Sequence, residues 1–165
     1  MSYVPVGRAA AFRLAQTTDF PAVNRLAAQV HALHAEARPD VFSPSDAPYD
    51  AEGFASLLSD PMSSVYVAER DGAVVGYAVL AYYGTRRLAV LRPRQLCSVE
   101  DFCVDAAVRR QGIGSAFFAF LRRTAARRGA QSLELTVWEF NRQAQAFYEA
   151  QGLRCRARKL ELALR

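Results

Sequence analysis

The sharpest chemical feature of this 165-residue sequence is the run Arg109-Arg110-Gln111-Gly112-Ile113-Gly114-Ser115, set between a strand-like stretch and an amphipathic helical one. Two glycines remove Cβ atoms where a backbone must pass close to a ligand. The unpaired N–H groups of a helix's first turn, with the positive end of its dipole, make a site for an anion. Arg109 and Arg110 add charge suited to phosphate or pyrophosphate. Neither GxxxxGK[ST] nor GxGxxG occurs here, which excludes a P-loop and a dinucleotide fingerprint. Spacing alone leaves two readings open, an anion cradle and a glycine turn with a solvated basic helix start.

The remaining reactive residues are sparse. His31 and His34 share one face of a helical stretch, followed by Glu36 and Arg38-Pro39-Asp40-Val41-Phe42. A metal site would need a third ligand in fixed geometry, so no metal is expected. Cys97, Cys103 and Cys155 form no CxxC pair and are odd in number, which reads as free thiols in a reducing compartment, packed as small hydrophobes.

These residues must be positioned by one domain spanning residues 1–165. With 52% hydrophobic and 22% charged positions, the chain can bury a core without staples, and general disorder is excluded. No apolar run reaches the roughly 18–20 residues that span a bilayer. The first residues lack the charged start and long apolar run of a signal peptide, so the expected location is cytoplasmic. The net charge of +5 hides a split: residues 1–105 carry 9 Arg against 12 Asp and Glu, and residues 106–165 carry 12 Arg or Lys against 4 Glu. The first half suits a cationic partner and the second an anionic one. That 20 of the 21 basic residues are Arg is a compositional bias of its own, and the asymmetry does not depend on it.

The periodicities predict a short strand at 11–15, then a helix from Asp19 (N-cap) and Pro21 to about residue 37, ended by Pro39. A loop at 42–49 and a short helix at 51–58 follow. Strands at 64–69 and 73–83 flank Arg70-Asp71-Gly72, a hairpin signal. After an Arg-rich connection come a strand at 96–104, a helix opening at Gly112 and stopping at Gly129, and a strand at 132–138. A helix over 142–150 closed by Gly152 and a last strand near 158–163 complete an α/β mixed sheet. Arg122, Arg123, Arg127 and Arg128 lie opposite the apolar stripe of the Gly112 helix, a solvated face, so neither nucleic acid nor membrane is expected as a partner.

Arg109-x-x-Gly112-x-Gly114 resembles the [QR]-x-x-G-x-[GA] signature of the GNAT superfamily of acetyl-CoA-dependent N-acetyltransferases. The preceding Val99-Glu100-Asp101-Phe102-Cys103-Val104 resembles that family's fourth strand. Leu135-Thr136-Val137-Trp138-Glu139-Phe140-Asn141, followed by Ala144-Gln145-Ala146-Phe147-Tyr148-Glu149-Ala150-Gln151-Gly152-Leu153, is similar to its second block. The matches run in the right order over about residues 64–155.

The resemblance implies a mixed, mostly antiparallel sheet flanked by helices, with a splayed parallel strand pair holding acetyl-CoA as cosubstrate. It implies that Phe102, Cys103 and Val104 offer backbone to the pantetheine arm. Arg109, Arg110, Gln111, Gly112, Ile113, Gly114 and Ser115 would meet the pyrophosphate. Asn141 would contact the cofactor or simply cap its helix. Transfer to an amine needs a proton acceptor, an oxyanion donor and a proton for the departing thiolate. On the family pattern these are Glu100, a backbone N–H of Cys103 or Val104, and Tyr148. Asp101 belongs on the opposite face of its strand unless a bulge intervenes, which leaves the choice between Glu100 and Asp101 open. His31, His34 and Asp101 are candidates for lining the acceptor site. Tyr49, Tyr82, Tyr83 and Trp138 fit either that lining or plain packing. The expected activity is direct acetyl transfer to a primary amine of a small cationic acceptor, of polyamine-like type, with homodimerisation common in the family. Peptide acetylation and a non-catalytic acyl-CoA-binding module are the alternatives.

Overall fold

The computed structural model describes residues 9–85 and 88–164. Strands β1 (Ala11–Leu14), β2 (Ser63–Arg70), β3 (Ala73–Gly84), β4 (Gln95–Val104) and β5 (Ser132–Leu135) lie side by side in that order. The first three pairings are antiparallel and β4–β5 is parallel. Helices α1 (Phe20–Ala37) and α2 (Ala51–Ser59) join β1 to β2, α3 (Ile113–Arg127) joins β4 to β5, and α4 (Arg142–Ala150) follows β5. This is the mixed α/β architecture expected from the sequence. Residues 1–8, on which part of the signal-peptide reading rested, and Arg86 and Arg87 of the Arg-rich connection lie outside the described residues.

Alternation along the strands sorts the core into two layers. Tyr66, Ala68, Ala78, Leu80, Cys97 and Val99 pack with Phe117, Phe118 and Leu121 of α3 on one face. Val65, Val67, Tyr77, Val79 and Cys103 pack with Val23 and Leu26 of α1 and Phe54 of α2 on the other. The β2–β3 hairpin turns on Asp71 and Gly72, with φ of 53° and 78°, the left-handed pair that matches the twist of the flanking strands.

Three expectations change. Asp19 precedes α1 as predicted, but its side chain makes no cap bond. Its carboxylate instead takes both terminal nitrogens of Arg13, at 2.7 and 3.0 Å, and the Gln16 N–H at 2.8 Å, tying β1 to the helix start. That Arg13 guanidinium holds the Asp19 carboxyl below the usual range. The fifth strand ends at Leu135 rather than at residue 138. No strand forms over 158–163. Alternating leucines satisfy the strand pattern, yet a strand also needs a hydrogen-bonding edge, and this segment leaves the sheet. Leu160, Leu162 and Leu164 are 89%, 82% and 85% exposed. Ion pairs from Arg156 to Glu134 (2.7 Å) and from Glu161 to Arg38 (2.9 Å) tack it down.

Candidate active site

The parallel pairing of β4 with β5 runs from Leu96↔Ser132 to Val99↔Leu135 and stops. β4 continues to Val104, still bound to β3 on its other side as far as Gly76↔Val104. The edge of β4 from Glu100 to Val104 therefore faces an opening where β5 has diverged. Backbone groups there need partners, and Phe102, Cys103 and Val104 are the residues assigned to a pantetheine arm. One of them is committed already, since the Val104 carbonyl accepts from Arg109 Nε at 3.0 Å.

Beyond β4, Asp105 caps a short 3₁₀ turn, Ala106–Val108, by accepting the Ala107 N–H at 3.1 Å. Arg110 and Gly112 then take left-handed backbone, φ 65° and 81°, directly before α3. Alternating handedness aims successive N–H groups into one hollow, the geometry of an anion nest. The chain's own residues thus fit a pyrophosphate here. Arg70 donates to Gln111 Oε1 at 2.6 Å, and Gln151 donates to Ser115 Oγ at 3.1 Å, bracing the loop from both sides.

The two glycines divide their work differently from the sequence reading. A Cβ at Gly112 would meet nothing within 4 Å, so the backbone conformation, not room, demands glycine there. A Cβ at Gly114 would lie 3.4 Å from Phe147 Cε2, so this glycine brings α3 close to α4. Gly112→Ala is expected to lower stability by about 1–2 kcal/mol, the cost of a left-handed alanine. A thermal melt reads it.

In the β3–β4 ladder Leu80 pairs with Val99 and Val79 with Asp101, so Glu100 is the extra residue of a bulge. The bulge brings Asp101 onto the face that carries Val79, Tyr77 and helices α1 and α2. There the Tyr49 hydroxyl, from the loop before α2, donates to an Asp101 carboxylate oxygen. Tyr77 presents a second phenol to the same carboxylate from β3. Burial pushes the Asp101 carboxyl above the usual range; the two phenols pull it back and the Glu100 charge adds to the rise. Burial, and then the Asp101 charge, push both phenols far above the ordinary tyrosine value. Glu100 itself is exposed.

Tyr148 approaches from α4, whose first turn is capped by Asn141 accepting the Ala144 N–H at 3.1 Å. Its ring rests among Phe147, Phe118 and Phe102, with centroids at 5.3, 5.7 and 6.4 Å. Burial, and next the charges of Asp101 and Cys103, push its phenol up to about 12. It is a proton donor at neutral pH. The Cys103 thiol is pushed up to about 11 by burial and donates weakly to the Leu26 carbonyl at 3.5 Å, a packed thiol rather than a nucleophile.

In the paired stretch before the opening, Glu134 of β5 stands opposite Ser98, accepts from the Tyr83 hydroxyl and pairs with Arg156 at 2.7 Å. The Glu134 bond is the main reason the Tyr83 phenol is pushed up to about 12, and the Glu100 charge also reaches it. The sequence reading passed over Glu134. Its signal was a carboxylate in the apolar alternation Ser132-Leu133-Glu134-Leu135, on the strand face opposite Leu133 and Leu135.

His34 stacks on Phe42 at 5.3 Å and meets Phe140 edge-on at 5.6 Å, while Trp138 packs on both phenylalanines and carries Arg38 over its ring at 5.3 Å. Burial, then the neighbouring His31, push the His34 imidazole down. His31 Nε2 lies 2.6 Å from the Ser43 carbonyl. Both histidines thus anchor the loop after α1. Tyr82 packs in the α3-side core beneath Arg128, 3.9 Å from its ring, away from Tyr49 and Tyr83. Among the described residues no group of three or more His, Cys, Asp or Glu could hold a metal, and no helix is long and apolar enough to cross a membrane.

Comparison with known proteins fits this geometry. A mutant form of the BH1408 protein from Bacillus halodurans is 30% identical and superposes with a TM-score of 0.90, covering 93% of this chain and 99% of that one. An aminoglycoside acetyltransferase, meta-AAC0020, from an uncultured soil metagenomic sample, solved with trehalose, is 18% identical with a TM-score of 0.68, covering 94% and 97%. Aminoglycoside N-acetyltransferase AAC(6')-Iy, solved with CoA, is 16% identical with a TM-score of 0.70, covering 94% and 99%. These last two likenesses are of fold. No curated protein matches the chain by sequence. Residues 27–153, most of the chain and all of the site apart from Arg156, match the Acetyltransferase (GNAT) family, and the protein belongs to it.

Proposed function

We propose that this chain transfers an acetyl group from acetyl-CoA to a primary amine of a small acceptor carrying more than one positive charge. The observation that carries the reading is the opening between β4 and β5, with Asp101 and Glu100 on β4 where the pairing ends and Tyr148 reaching in from α4. The left-handed turn at Arg110 and Gly112, with the first amides of α3, holds the pyrophosphate; the free edge of Phe102–Val104 receives the pantetheine arm. Acetyl-CoA supplies the activated thioester. The Asp105 N–H bonds the Val75 carbonyl at 2.8 Å, so by the alternation of the ladder the Cys103 N–H is turned to β3 and the Val104 N–H to the opening, where it steadies the oxyanion as the amine attacks. The carboxylate pair Glu100 and Asp101 binds the ammonium and accepts its first proton, which passes on to solvent. Tyr148 gives its proton to the leaving sulfur as the C–S bond breaks and regains one from the new amide nitrogen. One proton is released per turnover.

Thiol release with acetyl-CoA against polyamines, diamines, aminoglycosides, amino acids and a basic peptide tests the reading. Turnover is expected on small polycations. Tyr148→Phe should lower kcat by about 100-fold or more, the range for loss of a general acid. Glu100→Gln should raise the acceptor KM about tenfold, equivalent to roughly 1.4 kcal/mol. Turnover confined to the peptide, or tight acetyl-CoA binding with no turnover at all, would overturn the small-amine assignment.

A further inference from the structure

We propose that Asp101 is the group that takes the acceptor's proton, and that Tyr49 is the residue that positions it. This rests on the acetyl-transfer reading above and divides the roles of the carboxylate pair. Three observations carry it.

The bulge at Glu100 moves Asp101 from the α3 side of β4 to the α1–α2 side, where it stands between Tyr49, Tyr77 and the Tyr148 side of the opening. Glu100, the extra residue, stays exposed, placed to draw a cation in but free to turn in water. Asp101 is held. A carboxylate that accepts a phenol's hydrogen bond at one oxygen keeps its other lone pairs in a fixed direction, and a base needs that geometry before it needs strength.

Tyr49 is itself held in place. Its backbone N–H donates to Asn24 Oδ1 of α1 at 3.1 Å, and its ring meets Tyr77 edge-on at 6.5 Å, so the phenol is fixed from two sides. It comes from a loop, at 52 residues' separation from Asp101. The link is therefore tertiary. The titratable groups bearing on Asp101 are Tyr49 from that loop, Tyr77 from β3 and Glu100 from β4, and Asp101 in turn bears on Tyr148 of α4 and Cys103 of β4.

The sign of the effect follows. A phenol donating to the carboxylate favours the charged form. Removing it makes Asp101 easier to protonate, so the acid limb of the pH profile must move upward.

The test uses the full chain and two readouts. In Tyr49→Phe, which keeps the ring against Tyr77, the acid limb of kcat/KM for the acceptor should rise by about one pH unit, as expected for loss of one hydrogen bond to a charge. The KM for acetyl-CoA should stay unchanged. Carbon-13 NMR titration of the aspartate carboxyls, with Asp101 assigned from Asp101→Asn, should show the same upward move with no substrate present. Tyr77→Phe, changed on a β3 strand position, gives a second and smaller shift and covers the case in which Tyr49→Phe folds poorly. A lowered melting temperature with the acid limb and the Asp101 resonance both unmoved would make Tyr49 a packing residue and overturn the positioning role. An acid limb that moves with Glu100→Gln and survives Asp101→Asn would hand the proton to Glu100. If no amine turns over while the Asp101 resonance still shifts in Tyr49→Phe, the transferase reading fails and the positioning link stands.

Discussion

Asp101→Asn is expected to lose activity and gain stability together. As the proton acceptor, Asp101 should account for about 10²–10⁴ in kcat/KM, the usual contribution of a positioned base. Stability should move the other way. Burial raises the folded-state pKa of this carboxyl above the value near 4 that it has in an unfolded chain. Between those two values the folded state binds the extra proton, so stability falls as pH rises through the interval and the deficit persists above it. Asparagine carries no charge to desolvate and can still accept the Tyr49 hydroxyl. At neutral pH the variant should therefore melt higher, by about 2–4 °C for each kcal/mol relieved, and the advantage should vanish in acid below the ordinary carboxylate range. Melts at several pH values beside thiol-release assays read both halves. A melting temperature that falls in step with activity would mean that the charged form holds the fold together.

Phe118→Ala carries the largest expected loss of stability. Phe118 is 1% exposed and touches Phe102 at 5.7 Å, Phe147 at 6.0 Å and Tyr148 at 5.7 Å, so truncation leaves a cavity among three rings of the α3-side core. Such a change costs about 3–5 kcal/mol, which lowers Tm by about 6–20 °C in a chain of this size. The same rings are the bed on which Tyr148 rests. On the proposed roles, kcat should then fall more than the KM for acetyl-CoA rises, because the turn at Arg110 and Gly112, proposed to hold the pyrophosphate, lies before α3 and outside this ring cluster. Phe118→Leu, which fills most of the space, should recover the greater part of both. Equal falls in kcat and in cofactor affinity would show that α3 moves as a whole.

The sequence made the local devices legible. Asp71-Gly72 announced the hairpin, Gly112 and Gly129 bracketed α3, and the stretches rich in Val, Tyr and Ala at 64–69 and 73–83 named the two strands. Each depends on residues within a turn or two of one another. What escaped depends on pairing across the sheet. The bulge at Glu100 is set by how Val79 and Leu80 register against β4, and nothing in Val99-Glu100-Asp101-Phe102 states that register. The meeting of Tyr49 with Asp101 and of Tyr83 with Glu134 joins residues about fifty positions apart, in segments whose own composition reads equally well as packing. The final segment misled in the opposite way. Leu160, Leu162 and Leu164 write a strand pattern, but an edge to pair with is a property of the fold and not of the pattern.

The loop after α1 is fastened at two places by unlike means. Phe42 is buttoned to His34 and Trp138 by ring contacts, which salt does little to loosen. Tyr49 is buttoned to a carboxylate, and that clasp answers to a single proton. On the assignment of Asp101 proposed above, each turnover sets that proton down on the clasp itself. The chemical step then weakens one of the two fastenings of this loop while the aromatic one stays, and loss of the proton to solvent restores it.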